Sequence, residues 1–476
     1  MRTALLALAI LLAGCPTDGD DDDATLPDDD DTPDFGDDDD DVADDDDSSG
    51  DDDDVTGDDD DATAGALTLD EVLAVLSTSA DDAELDTLIR DVGWGAGWPM
   101  QDGDRWLFAT RWEGSQALSV VGDINGWDPA THPATRSATF SHWYAVIDAN
   151  TFAVPAAGAK YKWTDTATWS AGFEATAYFW DSEGRFGYVA PPSDAAWAEQ
   201  FPDLVTDALP LPRSLRLLFP PGFQPGMASA ASSRTLLMHD GQNLFDPDAF
   251  GGGWQMDQLL AADPAMSDVV LVGVDNTADR LDVYSHVADD IFENGTAYGG
   301  RADDYLDLID NVALPFVRER YGLVADGANL MVAGSSMGGL VSLYMAREWD
   351  GTLGCVGALS PSLFFGAIDA DGTEALVNLW PTDPGHGQVP IFLYSGGSEF
   401  PGCVDHDSDG VVELSGDQDN YCVTTQFRDM LADGGYVFES DLWHWHVYGA
   451  QHVEPAWRAQ VPRMLTSCAA SGWSAP

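Results

Sequence analysis

The strongest constraint on this chain is an apolar run that stops at a glycine-framed serine and restarts as a helix. Asn329-Leu-Met-Val-Ala333 reads as a buried strand. Leu340, Leu343, Tyr344, Met345 and Ala346 then give the pattern of a helix packed on a sheet. Between them, Gly334, Ser336 and Gly338 spell G-x-S-x-G. A strand-to-helix turn this tight needs small residues beside the serine, because a side chain there meets neighbouring backbone. The turn lifts the Ser336 hydroxyl clear of the sheet. It also points the Met337 N–H, at the helix N-terminus, toward an oxyanion forming on a carbonyl that the hydroxyl attacks. The motif alone also matches glycine-serine loops; the flanking strand and helix separate it from them.

The start of the chain has a different logic. Arg2 precedes an apolar run from Ala4 to Ala13, too short to span a bilayer as a mature helix. Leu12-Ala-Gly-Cys15 resembles the bacterial lipobox, which implies cleavage before Cys15, its lipidation, and a cell-envelope location, periplasmic or surface-exposed. An ordinary signal peptide with an incidental cysteine is the alternative. Residues 18–61 hold 27 Asp and no Lys, Arg or Glu, so they cannot bury enough apolar area to offset chain entropy. Residues 16–63 are therefore expected to be a disordered tether. Residues 62–476 still carry −39 of the chain's −65, and Lys160 and Lys162 are the only lysines. That excess argues against nucleic acid and anionic headgroups as partners.

The spacing predicts a helical lead-in over residues 64–101. Thr68 and Glu71 have capping-box spacing, and Leu85, Leu88, Ile89 and Val92 share a helix face. From 102 to 195, short aromatic and β-branched runs between turns predict an all-β sandwich. Val121-Gly-Asp-Ile-Asn-Gly-Trp-Asp128 and Lys160-Tyr-Lys-Trp163 resemble the early-set, immunoglobulin-like glycogen-binding domains found before isoamylase catalytic domains. The resemblance implies a glycan-stacking face of Trp127, Trp163 and Lys162, since an indole suits the apolar face of a pyranose. The same residues also suit a core. Residues 196–212 read as a linker.

Over residues 213–470, strands alternate with helices, which indicates a mostly parallel sheet covered on both faces. His239-Asp-Gly-Gln-Asn-Leu-Phe-Asp246 follows one of these strands. Its Gly241 allows a close turn, and the N–H of Gln242 or Asn243 is the expected second oxyanion donor. His239 and Asp240 read as loop hydrogen-bonding groups. Together with Val272–Tyr284, Gly299-Gly-Arg301, Tyr305 and Gly334–Gly339, this segment resembles the esterase family of enterochelin esterases, esterase D-like proteins and feruloyl esterases. The resemblance implies an α/β-hydrolase fold and serine ester hydrolysis with no required cofactor. Asp282-Val-Tyr284 departs from the family's E-Y.

A triad in chain order Ser, acid, His needs two more residues. Gly449-Ala-Gln-His452, with Trp457 five residues on, follows an apolar strand and makes His452 the expected base. Ser395-Gly-Gly-Ser-Glu399 makes Glu399 the expected acid, with Asp405 and Asp419 as competitors. His444 and His446 share a strand face, but no third zinc ligand is placed by sequence. Asp405, Asp407 and Asp409 have calcium-loop spacing; Gly416 stands at position 12, so Glu413 or Asp417 would complete a shell, against a merely solvated loop. Cys403 and Cys422 flank this insertion and could staple it, while the pairing of Cys355 and Cys468 stays open. Two rival functions use the same chain: a surface carbohydrate-binding protein with an inactive hydrolase domain, and an acyltransferase with the same triad. Among esters, siderophores, acylated polysaccharides and small acyl esters all remain open.

Overall fold

The computed structural model describes residues 67–475 apart from 115, 248, 350–351, 369–370, 381–388, 399–401 and 413–418. Cys15 and the Asp-rich segment lie outside the described residues. Two helices come first among the described residues, α1 (Leu69–Thr78) and α2 (Asp82–Trp94). The Thr68–Glu71 capping box forms at α1, and α2 buries Leu85, Leu88, Ile89 and Val92 as their spacing predicts.

Strands β1 (Met100–Asp102), β2 (Arg105–Arg111), β4 (Thr135–Arg136) and β5 (His142–Asp148) form one antiparallel sheet in the order β1-β2-β5-β4. Facing it are β3 (Ser119–Gly122), β6 (Lys160–Thr164), β7 (Trp169–Ser170), β8 (Ala177–Asp181) and β9 (Gly184–Tyr188). The two layers bury Phe108, Trp143, Tyr161 and Trp163 between them. Trp163 is 1% exposed, and the nearly buried Lys162 donates Nζ to the Glu183 carbonyl at 2.6 Å. Both belong to the interior, which corrects the expectation that they form a sugar-stacking face.

Residues 196–212 are not a linker. They contain β10 (Trp197–Leu204), which pairs antiparallel with β8 and with β11 (Arg213–Phe219). This strand fuses the β-region to the second half in a 13-stranded sheet. The second half adds β12 (Arg234–His239), β13 (Val269–Val274), a small β14 (Ala288–Asp289) and β15 (Tyr298–Gly299) pair, β16 (Gly327–Ser335), β17 (Leu353–Leu359), β18 (Ile391–Ser395) and β19 (Leu442–His446). The order β19-β18-β17-β16-β12-β13 is parallel throughout.

Period-two alternation decides which face each side chain takes. Leu237, Val272 and Val332 pack with Leu340 and Leu343 of α3 (Met337–Glu348). Leu236, Leu271 and Met331 face the other way, with Met464 and Leu465 of α4 (Val461–Ser471). Each such fully buried aliphatic contributes about 1.5–3 kcal/mol. The parallel registers Ser335↔Leu359, Leu359↔Tyr394 and Ser395↔His446 bring the carboxyl ends of four strands to one edge of the sheet, where such folds build their sites. No helix among the described residues is long and apolar enough to cross a membrane.

Candidate active site

Ser336 sits between β16 and α3 at φ 57°, ψ −122°, a backbone geometry that only a tightly constrained turn imposes on a side-chain-bearing residue. A Cβ on Gly334 would lie 2.6 Å from the Gly338 backbone, which is why the flanking position admits no side chain. The Ser336 N–H donates to the Leu359 carbonyl, and its own carbonyl accepts from the Ser362 N–H. Ser336 Oγ has Ser362 Oγ as its hydrogen-bond neighbour, at 3.3 Å.

His452 meets a carboxylate, but not through the expected residue. Asp419 Oδ1 lies 2.5 Å from His452 Nδ1. Glu399 is outside the described residues; the carboxylate at His452 is that of Asp419, one of the two competitors named from the sequence, which comes from the far end of the insertion after β18. Asp419 Oδ2 accepts from the Gly396 N–H at 2.7 Å and from Ser360 Oγ at 2.8 Å. Trp457 Nε1 donates to the same Ser360 Oγ, and its ring meets the His452 imidazole edge to face at 4.8 Å. The Leu359–Ser362 segment therefore holds both the serine turn and the acid. His452 Nε2 is buried with no partner, and no hydrogen bond joins it to Ser336 among the described residues. Catalytic contacts of this kind are often long before substrate binds.

Asp240 adopts a left-handed conformation that starts the turn Gly241–Asn243. The Asn243 N–H closes this turn onto the Asp240 carbonyl at 2.8 Å, so Asn243 is removed as an oxyanion donor. The N–H groups of Gln242 and Met337 have no acceptor among the described residues.

Beneath the turn, Asp240 takes a two-pronged ion pair from Arg280 Nε and Nη2, both at 2.8 Å, and a further bond from Asn276. Burial raises the Asp240 carboxyl, yet Arg280 and Asn276 outweigh it and hold the pKa below the ordinary value. His239 bonds Tyr305 Oη through Nδ1, and burial pushes its pKa down to about 4, so it is neutral near pH 7. Neither has a free carboxylate or charged imidazole to offer, in keeping with their expected loop role. Glu454, which sequence reasoning missed, lies two residues after His452 and is 6% exposed. Burial and Asp240 raise its pKa, while His452 and Arg280 oppose the shift. Its proximity in sequence to His452 was the available signal.

The other expected constellations fall outside this centre. The carboxylates of Asp405, Asp407 and Asp409 converge within 4.8 Å of one another; Glu413 is outside the described residues. Cys403 pairs with Cys422, and Cys355 with Cys468. His444 is held by Ser395 Oγ and Arg428, and His446 Nε2 lies 3.1 Å from the Gly397 carbonyl, so these two do not form a zinc pair. Trp127 remains on the surface with a partner the sequence reading did not include, the exposed Trp169, at 6.3 Å between rings.

Residues 206–398 match the family model Esterase, described as "Putative esterase". "Uncharacterized protein YbbA" of Bacillus subtilis (strain 168) is 24% identical over 190 residues, which cover 39% of this chain and 69% of that protein. Among solved structures, the chain is similar to an IroE-like serine hydrolase from Shewanella oneidensis, with 18% identity, 58% of this chain and 78% of that one covered, and a TM-score of 0.41. It is also similar to the enterobactin esterase FES from Shigella flexneri in the presence of enterobactin, at 14% identity, 82% and 98% coverage, and a TM-score of 0.40. A siderophore hydrolase, EstA, from Aspergillus nidulans gives 15%, 57%, 94% and 0.41.

Proposed function

We propose that this chain is a serine carboxylic-ester hydrolase of the α/β-hydrolase class, acting through Ser336, His452 and Asp419. The observation that carries this reading is the Asp419–His452 pair tied through Ser360 to the segment that holds the Ser336 turn. Ser336 Oγ attacks the ester carbonyl while His452 Nε2 takes its proton. Asp419 keeps the proton of His452 on Nδ1, leaves Nε2 basic, and stabilises the imidazolium that follows. The N–H groups of Met337 and Gln242 receive the negative oxygen of the tetrahedral intermediate. The C–O bond breaks, His452 returns the proton to the leaving alcohol, and an acyl-enzyme remains. Water, deprotonated by His452, then releases the acid and restores Ser336.

No step of this scheme uses a cofactor. The substrate we propose is an extracytoplasmic ester: a siderophore, an acylated polysaccharide or a small acyl ester. A lipid anchor at Cys15 would keep the enzyme at the cell envelope. Fluorophosphonate labelling of the full chain beside Ser336→Ala tests the reading. Labelling lost in the variant supports it; a folded wild type that does not label removes it. Transfer of the acyl group to an added alcohol would shift the assignment to acyltransferase.

A glycan-binding reading has its own observation, the surface pair Trp127 and Trp169. In that reading an early-set-like β-region holds a sugar and the hydrolase half is inert. It predicts glycan binding abolished by Trp169→Ala, with no labelling at Ser336.

A further inference from the structure

A cavity of about 720 Å³ lies where α2, the segment around Phe173–Thr176, and strands β10 and β11 meet. The volume is that of a small-molecule site. None of Ser336, His452, Asp419, Met337 or Gln242 lines it. Gln200 does, at 4% exposure, and neither its amide oxygen nor its amide nitrogen has a hydrogen-bond partner. Two unmade hydrogen bonds on one buried amide are costly. Its cross-strand neighbour Arg216 turns Nε and Nη2 to Asp275 instead.

Three arginines and one carboxylate around the cavity are already satisfied. Arg90 pairs with Asp91, Arg111 with Asp86, and Arg213 with Asp279. The Glu174 carboxylate accepts from Thr110 Oγ1 and the Arg111 N–H. Glu113 and Asp203 add negative charge in a chain of net charge −65, which disfavours an anion. Phe173, 59% exposed, presents a ring at the cavity. An amide that must both donate and accept is matched by hydroxyl groups. An exposed ring is matched by the C–H face of a pyranose.

We propose that this junction cavity binds an uncharged oligosaccharide, with Gln200 bonded to sugar hydroxyls and Phe173 covering a ring face. The site is distinct from the Trp127–Trp169 surface and does not rest on the esterase reading. The test is isothermal titration of the full chain with xylohexaose, maltohexaose, cellohexaose and chitohexaose to millimolar concentration. One of these is expected to bind. Gln200→Leu and, at an exposed position where folding is safe, Phe173→Ala should each weaken binding about tenfold or more, while Trp169→Ala leaves it intact. Absence of binding by all four, binding that survives Phe173→Ala, or binding lost in Trp169→Ala overturns the proposal. An unreactive Ser336 would leave this titration unaffected, so the two readings fail separately.

Discussion

Replacing Asp419 by asparagine tests the active-site argument at its most specific point. The side chain keeps its shape, and its remaining oxygen can still accept from Gly396 and Ser360. What changes is the atom facing His452 Nδ1, now at 2.5 Å from a carboxylate oxygen. An amide N–H there forces the imidazole to accept at Nδ1 and carry its proton on Nε2, where it cannot take a proton from Ser336. Comparable changes in serine hydrolases reduce turnover by roughly 10³–10⁴-fold, or about 4–5.5 kcal/mol of transition-state stabilisation. The assay is kcat/KM on a p-nitrophenyl acyl ester, with thermal unfolding recorded in parallel. Asp419→Asn should keep a near-native Tm while losing this activity, and Glu399→Gln should stay within about threefold of wild type. Asp419→Ala adds a stability loss of about 1–3 kcal/mol, because buried donors are stranded. An Asp419→Asn enzyme with near-normal turnover, or a Glu399→Gln enzyme without any, would refute the reasoning.

Three further perturbations have calculable outcomes. Burial first, and then Arg428, lower the His444 pKa to about 3; the unfolded histidine takes a proton near pH 6.5 and the folded one does not. Stability is therefore full above about pH 6.5 and declines toward pH 3, with about 2–3 kcal/mol lost by pH 4.5, and urea midpoints should show a smaller acid loss in His444→Gln than in wild type. The disulfides close separations of 19 and 113 residues, so Cys403→Ser/Cys422→Ser should lose about 3 kcal/mol and Cys355→Ser/Cys468→Ser about 4–5 kcal/mol in denaturant titrations; Cys422 of the first pair lies three residues from Asp419, and only that pair's loss should lower turnover beyond the stability effect. If the converging carboxylates of Asp405, Asp407 and Asp409 hold calcium, Tm rises with calcium and falls with EGTA, and identical melting curves dismiss the ion.

The difference between what the sequence revealed and what it hid follows from how locally each feature is encoded. Ser336 was legible because its turn depends on residues within four positions: Gly334 must clear Gly338, and the strand and helix lie immediately beside it. His452 was legible through a loop directly after its strand. Asp419 was not, because 23 residues separate it from the strand end at Gly396 that its carboxylate bonds. Its position depends on how an inserted segment folds back, and hydrophobic periodicity carries no information about that path. Glu399 fitted the short route from the strand, which is why it was preferred. One signal did bear on the choice: Cys422 lies three residues past Asp419 and pairs with Cys403, returning the insertion's end to its start near β18. The same limit explains β10, whose residues Trp197–Phe201 are buried on both faces but sit before Pro202, Asp203 and a following stretch with Pro210 and Pro212. Its pairing with β8 and β11 joins partners on either side of it, and that joining turns two apparent domains into one sheet.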